Sequence, residues 1–147
     1  MARTPLYTIG YSGFTADRFV EKLKDEKIEI LVDIRQRALS RKPGFSKTSL
    51  RDCLEQHGIE YLHLQDLGVP GHLRQELRED GDLTEYLSQF RTYLTGRNVT
   101  LGTLYDLARE RPCCLMCVEH DVDECHRSVV AEELLLRNGR KLKVQHL

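Results

Sequence analysis

The sequence Ile-Leu-Val-Asp-Ile at residues 30–34 decides the fold. It is almost wholly apolar, which is typical of a strand that is covered on both of its faces. Comparable short apolar runs predict further strands at residues 6–9, 60–64 and 113–118, and a last, exposed strand at residues 141–146. The segments between these runs are longer and carry a different, helical spacing.

Helical spacing of apolar residues fills the intervals between the predicted strands. Thr15 and Ser46 are suited to begin the first two helices, and Gly58 to end the second. Residues 71–110 predict two or three more helices. A final helix extends to residue 135 from a cap at Asp121 or Asp123.

Strands that alternate with helices indicate the α/β class. We predict a three-layer domain, with a mostly parallel sheet of four or five strands and helices on both faces. The 147 residues fit a single domain spanning 1–147. In such open sheets, ligands bind at the carboxyl ends of the strands, so the segments that follow the strands are where a site is expected.

Composition narrows the class of protein. The chain carries 22 Lys and Arg against 23 Asp and Glu, a net charge of −1, which gives no overall argument for nucleic-acid or membrane binding. Its first residues lack an apolar signal core, and the five cysteines are an odd number. We therefore predict a cytoplasmic protein without disulfides, without a cofactor and without a membrane partner.

The sharpest group of polar residues follows the fourth predicted strand. Cys117 and Glu119 are two apart, so their side chains point to the same face. Cys125, His126 and Arg127 lie at the predicted start of the next helix, where free N–H groups and the helix dipole favour an anion or a thiolate. Packing of small apolar residues at the junction explains the cysteines equally well.

Metal binding and phosphatase-like chemistry are the two rival interpretations. Cys114 and Cys117 have zinc-like spacing, but residues three apart on a strand face opposite ways. A zinc site from Cys117, Cys125 and His126 or His120 stays open, although we predict no metal. A Cys-x5-Arg anion loop is not supported, because the position that the arginine would take is Asp123 counted from Cys117 and Ala131 counted from Cys125.

A basic loop follows the second predicted strand. Residues 35–51 hold six cations and no acid, and the Pro43-Gly44 turn lies within them. Such a loop at a strand end is typical of a phosphate or nucleic-acid contact, although an unpaired solvated loop gives the same pattern. The six cations are Arg35, Arg37, Arg41, Lys42, Lys47 and Arg51.

Two further sets of residues belong to the predicted site. Asp33 is the one acid in its apolar run, and it is either a general base or the ion-pair partner of Arg35 or Arg127, the pairing being favoured. Tyr11 and Ser12 follow the first strand and offer hydroxyl groups to a ligand.

Taken in order along the chain, these segments resemble the domain of unknown function 488 family of small bacterial and archaeal proteins. The most specific part of the resemblance is Cys117-x-Glu119-x5-Cys125-His126-Arg127. Weaker parts are the segments around residues 8–12, 32–35, 40–46 and 58–68. The resemblance implies a compact α/β domain and no general activity. Tyr11 stands where a histidine is common in the family, and the basic loop differs from the usual pattern.

Our leading hypothesis is an anion-binding pocket at the carboxyl edge of the sheet, with the reaction and the oligomeric state left open. Its ligand is a phosphate-bearing small molecule or nucleic acid. The anion contacts are Arg35, Arg41, Arg127, Ser12 and Tyr11, and the candidate catalytic residues are Cys117, Glu119, Cys125, His126 and Asp33. The alternative is a non-catalytic nucleic-acid-binding module that uses Arg37, Lys42 and Lys47, and a third reading makes the polar cluster structural.

Overall fold

A computed structural model describes residues 4–119, 125–136 and 142–147. The strands in this part of the chain form one sheet in the order β3-β2-β4-β1-β5, and every neighbouring pair is parallel. The predicted parallel sheet is therefore confirmed, with five strands. These are β1 (Thr4–Gly10), β2 (Ile30–Asp33), β3 (Glu60–His63), β4 (Cys113–Cys117) and β5 (Leu142–His146).

Six α-helices connect and cover the strands in the described ranges, and the middle of the chain holds three of them. Short 3₁₀ helices at Tyr11–Gly13 and Gln65–Leu67 follow β1 and β3. The α-helices are α1 (Ala16–Asp25), α2 (Lys47–Gln56), α3 (Gly71–Asp80), α4 (Leu83–Leu94), α5 (Asn98–Glu110) and α6 (Arg127–Leu135).

The sheet separates two apolar cores, because alternate residues of each strand face opposite sides. Val32 and Leu115 face the core that α3, α4, α5 and α6 cover. Leu31 and Cys114 face the core that α1 and α2 cover. Helices on both faces of one parallel sheet make the three-layer α/β fold that the sequence predicts.

Of the first two predicted helix caps, the structure confirms one and contradicts the other. The Thr15 hydroxyl accepts a hydrogen bond from the backbone N–H of Arg18 and caps α1, as predicted. Ser46 precedes α2, but its hydroxyl does not cap the helix. It instead donates to the Ser40 carbonyl at 3.1 Å and accepts from the Ser40 N–H at 3.0 Å, so it closes the basic loop.

The last helix begins later than the sequence suggests. Helix α6 starts at Arg127, so Cys125 and His126 lie in the turn before it and not inside its first turn. The proposed caps Asp121 and Asp123 lie outside the described residues. Along the described segments, the structure shows no helix that is both long and apolar enough to cross a bilayer.

Candidate functional site

The carboxyl ends of three adjacent strands form the floor of the candidate site. Gly10 at the end of β1 is paired with Cys117 at the end of β4, and Asp33 at the end of β2 is paired with Met116. The backbone N–H of Ser12 donates to the Val118 carbonyl at 2.9 Å. Residues that follow β1, β2 and β4 therefore meet at one edge of the sheet.

Four of the predicted catalytic side chains converge there, and we call them the cysteine cluster: Cys117, Glu119, Cys125 and His126. One donor atom from each lies within 4.8 Å of the corresponding atoms of the other three. Both cysteines and the histidine are buried, and the glutamate is half-buried. The end of β4 and the turn before α6 bring them together across nine positions of sequence, from Cys117 to His126.

Cys117 and Cys125 are joined as a disulfide, and their Cα atoms lie 7.3 Å apart. This corrects the expectation that the chain has no disulfide. That expectation followed from the lack of an apolar signal core and the odd cysteine count, and neither of these tells which sulfurs the fold makes neighbours. Cys53, Cys113 and Cys114 are free thiols.

The other cysteines of β4 lie away from the cluster. Cys114 packs in the core beneath α1 and α2, on the face of the strand opposite to Cys117, so the Cys114-x-x-Cys117 spacing makes no metal site. Burial raises the pKa of the Cys114 thiol, and it raises the pKa of Cys113 to about 12. Both thiols are core residues.

His126 is held in one orientation by its neighbours. Its Nε2 lies 2.9 Å from the Ile34 carbonyl oxygen, which can only accept, so Nε2 carries the proton and Nδ1 faces the Cys125 sulfur at 3.9 Å. The ring packs edge-on against Phe90. Burial lowers the pKa of His126 to about 4, although the Ile34 carbonyl opposes that shift. The imidazole is therefore neutral near neutral pH.

Arg127 organises the cluster from inside the protein. Its side chain is buried and donates from Nη1 to the Cys117 sulfur at 3.2 Å and to the Glu119 carbonyl, and from Nε to the Thr8 hydroxyl. Its backbone N–H lies 3.4 Å from the Cys125 sulfur. Arg127 thus donates hydrogen bonds to both sulfurs of the cluster, and its guanidinium group is buried and bonded inside the protein.

Asp33 and Arg35 form a second buried polar group. Arg35 Nε and Nη2 donate to the two carboxylate oxygens of Asp33 at 2.9 and 2.7 Å, and Nη1 donates to the Phe45 carbonyl at 2.7 Å. The Tyr61 hydroxyl donates to Asp33 Oδ2 at 2.5 Å, and that of Tyr11 lies 3.5 Å from Arg35 Nη1. The favoured ion-pair role of Asp33 is the one observed, and Arg35 is directed inward.

The remaining cations of the basic loop are on the surface. Arg37, Arg41 and Lys47 are exposed. None of them forms an ion pair with an acidic group in the described parts of the chain. Lys42 is half-buried, and its ammonium group donates to the Ser12 carbonyl at 2.8 Å. The loop therefore presents Arg37 and Arg41 to solvent, and Lys42 holds it against the end of β1. The exposed Lys47 is the first residue of α2, so the helix begins within the stretch predicted as a basic loop.

Two residues outside the predicted set of site residues support the site. Thr8 is fully buried on β1, and its hydroxyl accepts from Arg127 Nε and contacts His146 Nδ1 at 2.5 Å. His63 donates from Nε2 to the Arg35 carbonyl at 2.7 Å. A hydroxyl inside an apolar strand was the available signal for Thr8, because a buried polar group needs a partner.

A separate groove of about 340 Å³ lies between α1 and α2. Its walls include Asp17, Glu21, Cys53 and His57, and no residue of the cysteine cluster lines it. The His57 ring donates from Nδ1 to the Cys53 carbonyl at 2.8 Å. No sequence pattern indicates this groove, because its residues come from two helices that only the fold places side by side.

Comparison with known proteins places the chain in a family without identifying an activity. No curated protein and no solved structure matches it. The model of the family described as Domain of unknown function DUF488 matches residues 15–134, which is most of the chain and includes the cysteine cluster and the basic loop. The chain therefore belongs to the DUF488 family, as its sequence motifs suggest.

Proposed function

We propose that the chain binds a phosphate-bearing ligand, a nucleotide or a nucleic acid, at the carboxyl edge of its sheet. The observation that carries the proposal is the exposure of Arg37, Arg41 and Lys47 without acidic partners among the described residues. Cations that no protein carboxylate neutralises attract phosphate groups, which they bind by charge and hydrogen bonding. These three side chains are our candidates for the phosphate contacts.

The basic loop is tied to the strand end that carries the cysteine cluster. Lys42 donates to the Ser12 carbonyl, and Ser12 in turn donates from its N–H to Val118, one residue before Glu119. A phosphate held by Arg41 would therefore lie on the same edge as the cluster. The exposed Ser12 hydroxyl is a further candidate contact.

Arg35 and Arg127 serve this site by positioning other groups, because the guanidinium of each is buried and bonded inside the fold. Arg35 donates to the carbonyl of Phe45, and Tyr11 stacks on the Phe45 ring at 4.6 Å between centroids. Both contacts hold the base of the loop in place. Asp33 acts through Arg35.

The cysteine cluster is our candidate for the reactive part of the site. Its two sulfurs accept hydrogen bonds from Arg127, and when the disulfide is reduced, donors of this kind stabilise the negative charge of a thiolate. Glu119 is the half-buried member and the one placed to exchange protons with a ligand at the edge. Removing Cys125 should then abolish any reaction while leaving ligand binding intact.

The experiment is a fluorescence anisotropy titration of a labelled single-stranded oligonucleotide at several salt concentrations. We expect affinity to fall steeply with salt, and Arg37→Ala or Arg41→Ala to weaken binding and lower the magnitude of the log–log salt slope by about 1 each. The matched control is Arg78→Ala, an exposed arginine of α3 in the opposite helical layer.

Competition separates the two kinds of ligand. A nucleoside triphosphate that displaces the oligonucleotide at micromolar concentration favours a nucleotide site. Oligonucleotide binding that resists the nucleotide favours a non-catalytic nucleic-acid-binding module. Affinity that does not depend on salt, or that falls equally in Arg78→Ala, would contradict the proposal.

A further inference from the structure

We propose that the cysteine cluster, once reduced, binds a thiophilic divalent metal ion such as Zn²⁺. Two thiolates, one imidazole and one carboxylate are a donor set that zinc takes in proteins. The inference concerns the reactive part of the site proposed above, but it does not depend on the anionic ligand. The ligand atoms are the sulfurs of Cys117 and Cys125, Nδ1 of His126 and a carboxylate oxygen of Glu119.

The four donor atoms are gathered closely enough to surround one ion once the disulfide is opened and its two sulfurs separate. All four lie within 4.8 Å of one another, and Cys125 Sγ is 3.9 Å from His126 Nδ1. Tetrahedral zinc with ordinary bond lengths separates a sulfur from a nitrogen ligand by about 3.6 Å. The two sulfurs, which the disulfide now joins, must move to about 3.8 Å apart to bind the same ion.

The backbone at the two cysteines is wider than a disulfide usually requires. Their Cα atoms are 7.3 Å apart, whereas disulfides usually hold Cα atoms within about 6.8 Å. An ion between the two sulfurs makes use of that separation. Opening the disulfide takes two electrons and two protons from a dithiol reductant, and the metal then displaces the two thiol protons to solvent.

His126 already has the orientation of a metal ligand. Its Nε2 proton is donated to the Ile34 carbonyl, which leaves the lone pair of Nδ1 directed at the Cys125 sulfur. Metal-bound histidines in proteins typically donate their other ring N–H to a backbone carbonyl or a carboxylate, which fixes the ring. The Ile34 carbonyl, just beyond the end of β2, supplies that second contact.

Arg127 supplies the outer shell of the sulfurs. It donates to Cys117 Sγ from its side chain and to Cys125 Sγ from its backbone. Its positive charge offsets part of the negative charge that two thiolates bring into a buried site. Three ligands are buried and Glu119 is half-buried, so Glu119 is the ligand that solvent or a substrate would replace.

The test is a titration of the fully reduced wild-type protein with Co²⁺, followed by Zn²⁺. We expect one equivalent of cobalt to give the visible absorption of tetrahedral thiolate coordination, and zinc to remove it. Alkylation of the zinc-loaded protein, read by mass spectrometry, should spare Cys117 and Cys125, while Cys53 reacts equally with and without zinc.

Variants assign the ligands. Cys125→Ser should weaken binding about 100-fold, because it removes one of the two thiolate ligands. Glu119→Gln should bind more weakly but retain the cobalt spectrum, and Cys53→Ser is the matched control that should bind as wild type. If Cys125→Ser does not fold, the protection pattern of the wild-type thiols decides.

Three results would overturn the metal site: no cobalt spectrum in the reduced protein, a spectrum that Cys125→Ser retains at wild-type affinity, or equal alkylation with and without zinc. The test of the metal site is independent of the test of the anion site, because oligonucleotide binding is measured with a chelator that removes any metal ion. Phosphate binding that persists with chelator, beside a protein that takes no metal, would reject only the metal site.

Discussion

Asp33 and Arg35 form a bidentate ion pair inside the protein, with 0% and 1% of their side chains exposed. They are two apart at the end of β2, so both side chains point to the same side of the sheet. The backbone N–H of Arg35 also donates to Asp33 Oδ1 at 3.1 Å. Burial alone would lower the pKa of Arg35, and the hydrogen bond and charge of Asp33 outweigh it, so that pKa is raised.

Arg35→Ala should destabilise the protein by about 3–5 kcal/mol, because it leaves the Asp33 carboxylate buried without its cation. Urea unfolding followed by circular dichroism measures the change in free energy. The matched control is Arg91→Ala, which removes an ion pair with Glu132 in which both side chains are about half exposed. Its unfolding midpoint should hardly change, and equal midpoints for the two variants would contradict the structural role of Arg35.

Tyr61→Phe should lower the free energy of unfolding by about 1–2 kcal/mol, since the lost hydroxyl donates to a buried carboxylate. Burial, together with the Asp33 hydrogen bond, raises the pKa of Tyr61. The unfolded tyrosine loses its proton first as pH rises past about 10, so the stability linked to this group is present below pH 10 and lost above it.

The corresponding measurement is the free energy of unfolding between pH 8 and pH 11. Wild type should lose more stability over this range than Tyr61→Phe does. Burial also raises the pKa of Tyr86 to about 12, so the stability of both proteins should still fall somewhat at alkaline pH. Parallel pH curves would show that the Tyr61 hydroxyl is not coupled to Asp33.

The free thiols should react in an order set by burial. A pKa of about 12 leaves Cys113 almost wholly protonated at pH 8, and only the thiolate attacks an alkylating reagent. Iodoacetamide should therefore modify the half-buried Cys53 first and spare Cys113 and Cys114 until denaturant is added. Peptide mass spectrometry identifies the sites, and modification of Cys113 at the rate of Cys53 would place it outside the core.

Gly10→Ala should destabilise the carboxyl edge by about 1–3 kcal/mol, which is the usual cost of overpacking. A Cβ at Gly10 would overlap the Glu119 carbonyl and lie 2.7 Å from Arg127 Nη1. Because both groups support the cysteine cluster, the variant should also bind cobalt more weakly. Gly71→Ala, whose Cβ would meet nothing within 4 Å, should leave stability and cobalt binding unchanged.

Local patterns in the sequence were sufficient for the architecture. The apolar run at residues 30–34 indicated a strand covered on both faces, and β2 lies second in the sheet between β3 and β4. The Thr15 cap and the turn at Gly58, whose φ is 75°, are likewise set by neighbouring residues. Strand and helix periodicities depend on local backbone geometry, which is why they can be read without the fold.

Local sequence patterns did not predict the contacts between residues that are distant in the chain. The hydroxyl of Ser46 bonds to Ser40 and does not cap α2, since the path of the basic loop decides which partner is nearer. Thr8 and Arg127 meet across 119 positions of sequence. Arg35 and Arg127 were both predicted to bind an anion, but both are buried and bonded inside the fold. These contacts are with residues that are not neighbours in the sequence, so the identity of the residue alone does not reveal them.

The sequence by itself determined the α/β fold, the family, and the grouping of basic and sulfur-containing residues at strand ends. The tertiary structure decided which cations stay exposed, that Asp33 pairs with Arg35, and that Cys117 and Cys125 are neighbours. The physical reason is that burial and hydrogen-bond geometry belong to residues distant in the chain. Arg35 and Arg41 are both arginines of one loop region, yet one is enclosed and the other faces solvent.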